Sequence, residues 1–423
     1  MYKKVVLENG LRIITVPIKS TGAVTILILT EVGSKYETRE VNGISHFIEH
    51  MIFKGTQKRP TTQEVSSALD RVGGEYNAFT GGEFTGYWAK VDAKHLDLAL
   101  DWISDIFLNS KFDEKEIERE KGVIIEEINM RLDMPTSYVF DLWDKLLYQD
   151  QPAGWPISGE KETVAKLEKG DFFEYSANHY SSRNTVVCLA GNFESKIALE
   201  KAKKYFKKIR TNKPKQKLKV IEKQSKPQVL NYFKETDQTH FCLGVRGYDL
   251  FHPQRYTQGV IATILGGPMS SRLFISVRDK HGLAYYIHTL SDSSTDTGCL
   301  VTHAGVDNKN VDKALELILK EYKSLKEGEI DKEELQKAKD YLKGRLYLAL
   351  ESSEAQASFY TNQELLTRKI LTPEEEVKKI DKVTLNDIRK VAQDIFRREK
   401  LNLASIGPAK EKETYLNILE NSL

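Results

Sequence analysis

The stretch VDAKHLDLAL at 91–100 returns almost in step as VDNKNVDKAL at 306–315. Farther along, FDEKEIEREK from Phe112 parallels IDKEELQKAK from Ile330, at nearly the same separation along the chain. Similarity of a chain to itself at a nearly fixed separation is the signature of a repeated structural unit. The sequence therefore predicts two similar halves.

Between these halves lies a polar, lysine-rich segment, RTNKPKQKLKVIEKQSKPQ, at 210–228. Its composition and its two prolines are typical of a linker. A chain of 423 residues is also too long for one ordinary hydrophobic core. We therefore predict a first domain at 1–210, a linker at 211–228 and a homologous second domain at 229–423.

Each half mixes strand and helix patterns. LRIITVPI and AVTILILTEVG are rich in β-branched residues and predict strands, while Gly81, Gly82 and Glu83 predict the turn of a hairpin. HLDLALDWISDIF, DEKEIEREKGVIIEEINMRL and the stretch from Trp143 onward have apolar residues at helical spacing. These patterns favour an α+β fold of two homologous sandwich-like domains, each with a mixed or antiparallel sheet and helices on one face.

The composition argues against nucleic acid and membranes as the main binding partners. The 63 basic and 61 acidic side chains nearly cancel, so no net field favours nucleic acid or an anionic membrane. No apolar run approaches the roughly 18 residues of a membrane span, which predicts a soluble chain. The cysteines, Cys188, Cys242 and Cys299, lie far apart in or beside apolar stretches. We expect buried structural thiols rather than reactive ones, in keeping with a reducing cytoplasm.

The segment HFIEH, from His46 to His50, contains the residues best suited to bind a metal ion. On a helix, residues four apart share a face, so His46 and His50 can present two imidazoles to one ion. Glu49, three residues after His46, would point to the same side and could hold a metal-bound water, in the inverted form of the H-E-x-x-H motif. Chance would produce three fixed residues in about one such chain in a hundred. The surrounding apolar residues favour the metal-site interpretation.

A catalytic zinc normally takes three protein ligands, so a third must come from elsewhere. Glu120 and Glu127 stand about two turns apart on a predicted helix. Each lies among other acidic residues, and spacing alone does not separate a ligand from a solvated helix face.

The repeat separates these possibilities better than spacing does. Aligning the halves puts Ala338 opposite Glu120 and Arg345 opposite Glu127. Ala262, Leu265 and Gly266 stand opposite His46, Glu49 and His50 when Gly43 is aligned with Gly259. Residues needed for folding should recur in both copies, so groups present in one copy are better explained by chemistry.

The chain resembles the pitrilysin family of inverted zinc peptidases over essentially its whole length. The interval between His50 and Glu127 matches the interval that this family has between its motif and its third ligand. The resemblance implies one zinc per chain with His46, His50 and Glu127 as ligands and Glu49 as general base. It also implies Glu120 as an acid that orients a ligand. The length of the chain is similar to that of the short subfamily, which includes mitochondrial processing peptidase subunits and bacterial relatives.

Two further segments match the family. GEYNAFTGGEFTGYW resembles a hairpin beside the zinc, on which Asn77 and Ala78 would bind an extended peptide; an ordinary hairpin is the alternative. SSRLFISVRDKHGLAYYI carries Arg278 and Tyr285, which match a pair that anchors the substrate carbonyl and stabilises the oxyanion. Taken alone, this arginine and tyrosine could be a surface and a core residue.

Two hypotheses of different classes follow. The first is a zinc metalloendopeptidase that cleaves peptides or unfolded segments in a clamshell chamber. It would work as a homodimer in which Arg278 and Tyr285 of one chain complete the zinc site of the other. The second is a partner-dependent or non-catalytic assembly subunit. The expected mark of a non-catalytic subunit, a broken H-x-x-E-H motif or a missing third glutamate, is not found here.

Overall fold

The computed structural model describes residues 2–408 and 411–423. Its strands are β1 Lys3–Val6, β2 Arg12–Pro17, β3 Ala23–Thr30, β4 Glu75–Thr80, β5 Thr85–Asp92, β6 Thr185–Gly191, β7 Gln228–Phe233, β8 Gln238–Arg246, β9 Ala284–Ser293, β10 Gly298–Asp307 and β11 Leu401–Gly407.

The α-helices lie between these strands, mostly in groups of two or more, and after the last strand. They are α1 Ile44–Ile52, α2 Thr62–Asp70, α3 Leu96–Asn109, α4 Glu114–Asp133, α5 Pro135–Tyr148, α6 Lys161–Val164, α7 Lys169–His179, α8 Ser195–Tyr205, α9 Arg255–Gly266, α10 Val311–Glu327, α11 Lys332–Ala349, α12 Ser353–Thr367, α13 Pro373–Asp381, α14 Leu385–Ile395 and α15 Lys412–Glu420.

The strands form two sheets with one topology. The first has the order β1-β2-β6-β3-β5-β4 and the second the order β7-β11-β8-β10-β9. In each sheet one pair is parallel, β2 with β6 and β7 with β11, while the other pairs are antiparallel. Apart from the extra edge strand β1, the orders correspond strand for strand. This confirms the mixed sheets and the two homologous halves predicted from the repeat.

The chain forms two compact units, each built from three segments. The first comprises residues 1–129, 155–218 and 349–370, and the second comprises 130–154, 219–348 and 371–423. The linear boundaries predicted from sequence place residues 130–154 and 349–370 in the opposite units. Helix α5 thus packs on β8 and β11, while α12 packs on β3 and β6.

The layering of the first unit differs from the predicted one. The sequence predicts helices on one face of each sheet, but here helices cover both faces. Tyr360 and Leu365 of α12 pack in a cluster with Leu27 of β3. On the opposite face Tyr87 of β5, which pairs with Ile28, contacts Phe107 of α3 with ring centroids 5.8 Å apart. The additional layer could not be expected from the first half alone, because α12 comes from a segment far beyond β6, the last strand of the first sheet.

Local predictions agree closely with the structure. The hairpin joins β4 and β5 with Thr80 opposite Thr85, although Phe84 belongs to the turn rather than to the second strand. All three cysteines are free and buried, which confirms the structural interpretation. Burial raises the pKa of the Cys188 thiol to about 12, so it is protonated at neutral pH.

Candidate metal centre

Helix α1 carries the HFIEH segment and has a tightly fixed start. Its first backbone amides are held by the buried carboxylate of Glu37, which accepts hydrogen bonds from the N–H groups of Gly43 and Ser45 at 2.8 Å each. An acidic group at a helix N-terminus also complements the helix dipole. Gly43 has a φ of 97°, and a Cβ there would lie 2.7 Å from the carbonyl oxygen of Ser158. Helix α1 therefore starts directly after a position that only glycine fits.

Three side chains from α1 and α4 converge. The Nε2 atoms of His46 and His50 are 3.3 Å apart. One carboxylate oxygen of Glu127 lies 3.6 Å from Nε2 of His46 and 3.5 Å from Nε2 of His50. Within residues 2–408 and 411–423, this is the one set of three histidine, cysteine or acidic side chains arranged closely enough to hold a metal ion.

The spacing of these atoms fits zinc. A tetrahedral ion bonded at about 2.0–2.1 Å separates its ligand atoms by about 3.3 Å, close to all three sides of the observed triangle. Two imidazoles and one carboxylate are also a known donor set for catalytic zinc. A zinc ion held by these three donors would keep a fourth position open for water or substrate.

The two histidines differ in proton affinity. Burial, and then the neighbouring charge of His50, lowers the pKa of His46 to about 4, so its imidazole is neutral at pH 7. Burial acts in the same direction on His50, but its hydrogen bond to Glu120 and the charges of nearby glutamates raise the pKa overall. Metal binding at this pair therefore competes with protons, as at any imidazole site.

Glu120 lies behind His50 rather than in the triangle. Its Oε1 is 2.9 Å from Nδ1 of His50, and its Oε2 is 2.6 Å from Nζ of Lys54. Burial would raise the pKa of Glu120, but these two partners lower it, so the carboxylate stays ionised. An ionised acceptor on Nδ1 fixes the ring orientation and leaves Nε2 facing the triangle.

Glu49 lies on α1 between the two histidines, and the charges of His50 and Glu127 influence its pKa. The hydroxyl of Thr80, at the end of β4, donates to Oε2 of Glu49 at 2.5 Å. Burial raises the pKa of Glu49, and the Thr80 hydrogen bond offsets only part of that shift. A carboxylate whose pKa moves toward neutrality is better suited to accept and return a proton.

Strand β4 lies at the edge of the first sheet. Asn77 is exposed, and its side-chain oxygen accepts a hydrogen bond at 2.8 Å from the backbone N–H of Ala78. Ala78 pairs with Tyr87 on the inner side. In the described part of the chain, the outer side of β4 has no partner strand, so its backbone can pair with an extended peptide.

Arg278 and Tyr285 meet in the second unit. The arginine lies in a π-helical turn, Phe274–Asp279, and the tyrosine lies on the edge strand β9. The Arg278 guanidinium stands 5.5 Å from the Tyr285 ring centroid and 4.7 Å from that of Phe274. Tyr285 is 75% exposed, so its phenol is available to a ligand.

Two site residues escaped the sequence analysis. Lys54 lies four residues after His50, a spacing that places two residues on the same face of a helix. This spacing could have indicated Lys54 as a neighbour of the motif. Thr80 had no such signal, because its contact with Glu49 joins positions far apart in the chain and depends on how the hairpin packs against α1.

Comparison with known proteins identifies the family. The family profile described as Insulinase (Peptidase family M16) matches residues 12–161, and the profile described as Peptidase M16 inactive domain matches residues 166–342. The Bacillus subtilis protein named uncharacterized zinc protease YmxG is 36% identical over 410 residues, covering 97% of this chain and 99% of that protein. An uncharacterized zinc protease of Streptomyces coelicolor is 33% identical over 419 residues, covering 97% and 90% respectively.

A solved structure shows the same fold. A protease from Helicobacter pylori superposes with a TM-score of 0.90 and 24% identity, covering 96% of this chain and 99% of that one. The chain belongs to peptidase family M16, the family of these zinc proteases, which confirms the resemblance inferred from its motifs. No helix among the described residues is both long and apolar enough to cross a bilayer.

Proposed function

We propose that this chain is a zinc metalloendopeptidase that hydrolyses peptides or unfolded segments. The observation that carries the proposal is the convergence of His46, His50 and Glu127, with Glu49 on the same helix as the two histidines. Each chain would hold one zinc through these three ligands. When bound, zinc supplies Lewis-acid polarisation of a carbonyl and lowers the pKa of water.

The remaining steps are assigned to side chains and to the backbone of β4. Glu49 accepts the proton of the attacking water and returns it to the leaving amine. Glu120 keeps His50 in the tautomer and orientation that a ligand needs. The edge of β4, at Asn77 and Ala78, pairs with the substrate backbone and places the scissile carbonyl.

Arg278 and Tyr285 would act on the substrate carbonyl as hydrogen-bond donors. A guanidinium and a phenol are suited to an oxygen on which negative charge develops. In a homodimer, the second unit of one chain would supply this pair to the zinc site of the other. Two chains would then enclose a chamber with two equivalent sites, which admits extended peptides rather than folded proteins.

The alternative is an assembly or binding subunit, including one that needs a separate partner for catalysis. The convergence of His46, His50 and Glu127 favours the enzyme. So do the hydrogen-bonded Glu49 and, in the second unit, the contact between Arg278 and Tyr285. Purified chain that binds one zinc but cleaves no peptide from a diverse quenched-fluorescence library would favour the partner-dependent subunit instead.

The direct test is Glu49→Gln. The amide keeps the size of the side chain and its hydrogen bond to Thr80 but cannot accept the proton. Zinc content should stay at one per chain, while turnover of a quenched peptide should fall by about 10²–10⁴-fold. Glu118→Gln, an exposed change on α4, is the matched control. Full activity in Glu49→Gln would refute the assigned base.

A further inference from the structure

Thr80 makes a hydrogen bond to the proposed base. Its hydroxyl donates to Oε2 of Glu49 at 2.5 Å, although the two residues lie far apart in the chain. We propose that Thr80 is a positioning residue that holds the Glu49 carboxylate in the orientation needed for proton transfer. This inference rests on the proposed function and adds to it a residue that acts through Glu49.

Thr80 can serve this role because the turn after it is fixed by backbone contacts. The carbonyl of Gly81 accepts from the N–H of Ser34 at 3.4 Å, and that of Gly82 accepts from the N–H of Lys35 at 2.9 Å. A Cβ at Gly33 would lie 2.2 Å from the carbonyl oxygen of Gly81. The hairpin turn therefore sits directly against the backbone of residues 33–35.

Charged side chains hold the same turn. Glu83 is 6% exposed, and its Oε1 lies 3.7 Å from Nζ of Lys35 and 3.2 Å from Nζ of Lys217. A buried carboxylate with two ammonium partners resists displacement, because separating them would leave a charge without compensation. Thr80 therefore ends β4 immediately before an anchored turn.

Glu49 itself has little else to fix its carboxylate. The last torsion of a glutamate side chain is broad, so the two oxygens can exchange places unless something holds them. In the described part of the chain, Thr80 is the one hydrogen-bond donor to this carboxylate. Commitment of Oε2 to Thr80 leaves Oε1 to take the proton.

The substitution Thr80→Val removes the hydroxyl and keeps the shape. It should lower kcat by about 10–100-fold, the range typical of lost support behind a functional group, and leave KM and zinc content unchanged. Thr80→Ser keeps the hydroxyl and should stay within about threefold of the parent. Thr85→Val is the matched control, because Thr85 pairs with Thr80 on the same hairpin but donates to the carbonyl of Val32 at 2.9 Å.

A double-mutant cycle separates positioning from a purely structural role. Adding Thr80→Val to Glu49→Gln should cause no further loss of kcat, because the group that Thr80 positions is already disabled. Three results would each overturn the proposal: unchanged kcat in Thr80→Val, equal losses in the valine and serine variants, or a full additional loss on top of Glu49→Gln.

A structural readout keeps the proposal testable without turnover. In a crystal structure of zinc-loaded Thr80→Val, the Glu49 carboxylate should adopt a different or mixed orientation from that in the parent. An unchanged carboxylate would contradict the role of Thr80. A parent enzyme that binds zinc yet cleaves no peptide would instead count against the proposed function, so the two failures are distinguishable.

Discussion

Glu127→Gln should weaken zinc binding far more than Glu120→Gln. Glu127 offers an oxygen 3.5 Å and 3.6 Å from the two Nε2 atoms, whereas Glu120 contacts His50 through Nδ1, the ring nitrogen that faces away from the triangle. A residue that only orients a ligand typically contributes about 10–100-fold in affinity or activity, which sets the expectation for Glu120→Gln. Glu127→Gln replaces the one anionic member of the proposed ligand set by a neutral amide and should exceed that range.

The difference should also appear in stability. Zinc at about 100 times its dissociation constant stabilises the folded chain by about 2.7 kcal/mol, so a hundredfold loss of affinity removes most of that gain. Competition with a chromophoric chelator at neutral pH measures the affinity for zinc. Thermal unfolding with and without EDTA measures how much bound zinc stabilises the folded chain.

Glu126→Gln is the matched control, since Glu126 is the neighbouring acid on α4, is exposed and bonds to Asn129. Equal affinities for the Glu126 and Glu127 variants would refute the ligand assignment. A larger loss in Glu120→Gln than in Glu127→Gln would exchange the two roles.

Two other predictions address pH and assembly. Burial, and then the charges of His240 and His288, lowers the pKa of His303 to about 4. Its folded pKa lies below the unfolded value of about 6.5, so the unfolded state binds the proton first and stability should fall as pH drops from about 6.5 to about 4. His303→Gln should show a smaller fall in urea midpoint over that range, and an unchanged fall would exclude His303 as its source. Mixing Glu49→Gln chains with Arg278→Ala, Tyr285→Phe chains, with subunit exchange verified, should restore peptide cleavage in mixed dimers. Activity no greater than the sum of the parents would rule out a site completed in trans.

Much of the site follows from sequence because its key relations are local or repeated. His46, Glu49 and His50 are set by helical spacing alone, since residues three and four apart share a face wherever the helix lies. The repeat then singles out Glu120 and Glu127, because the second half keeps the helix and lacks both acids. Sequence could not assign separate positions to these two glutamates without the family resemblance. Their contacts depend on the angle at which α4 crosses α1.

The sequence by itself determined the two homologous halves, the mixed strand and helix pattern and the residue types of the candidate metal site, because periodicity and repetition are properties of the chain. Tertiary structure decided which helix covers which sheet. Helix α5 leaves the first half to pack on β8 and β11, and α12 returns from the second half to cover β3 and β6. It also brought Thr80 to Glu49 and Lys54 to Glu120. These contacts depend on packing between elements distant in sequence, and no local pattern encodes their geometry.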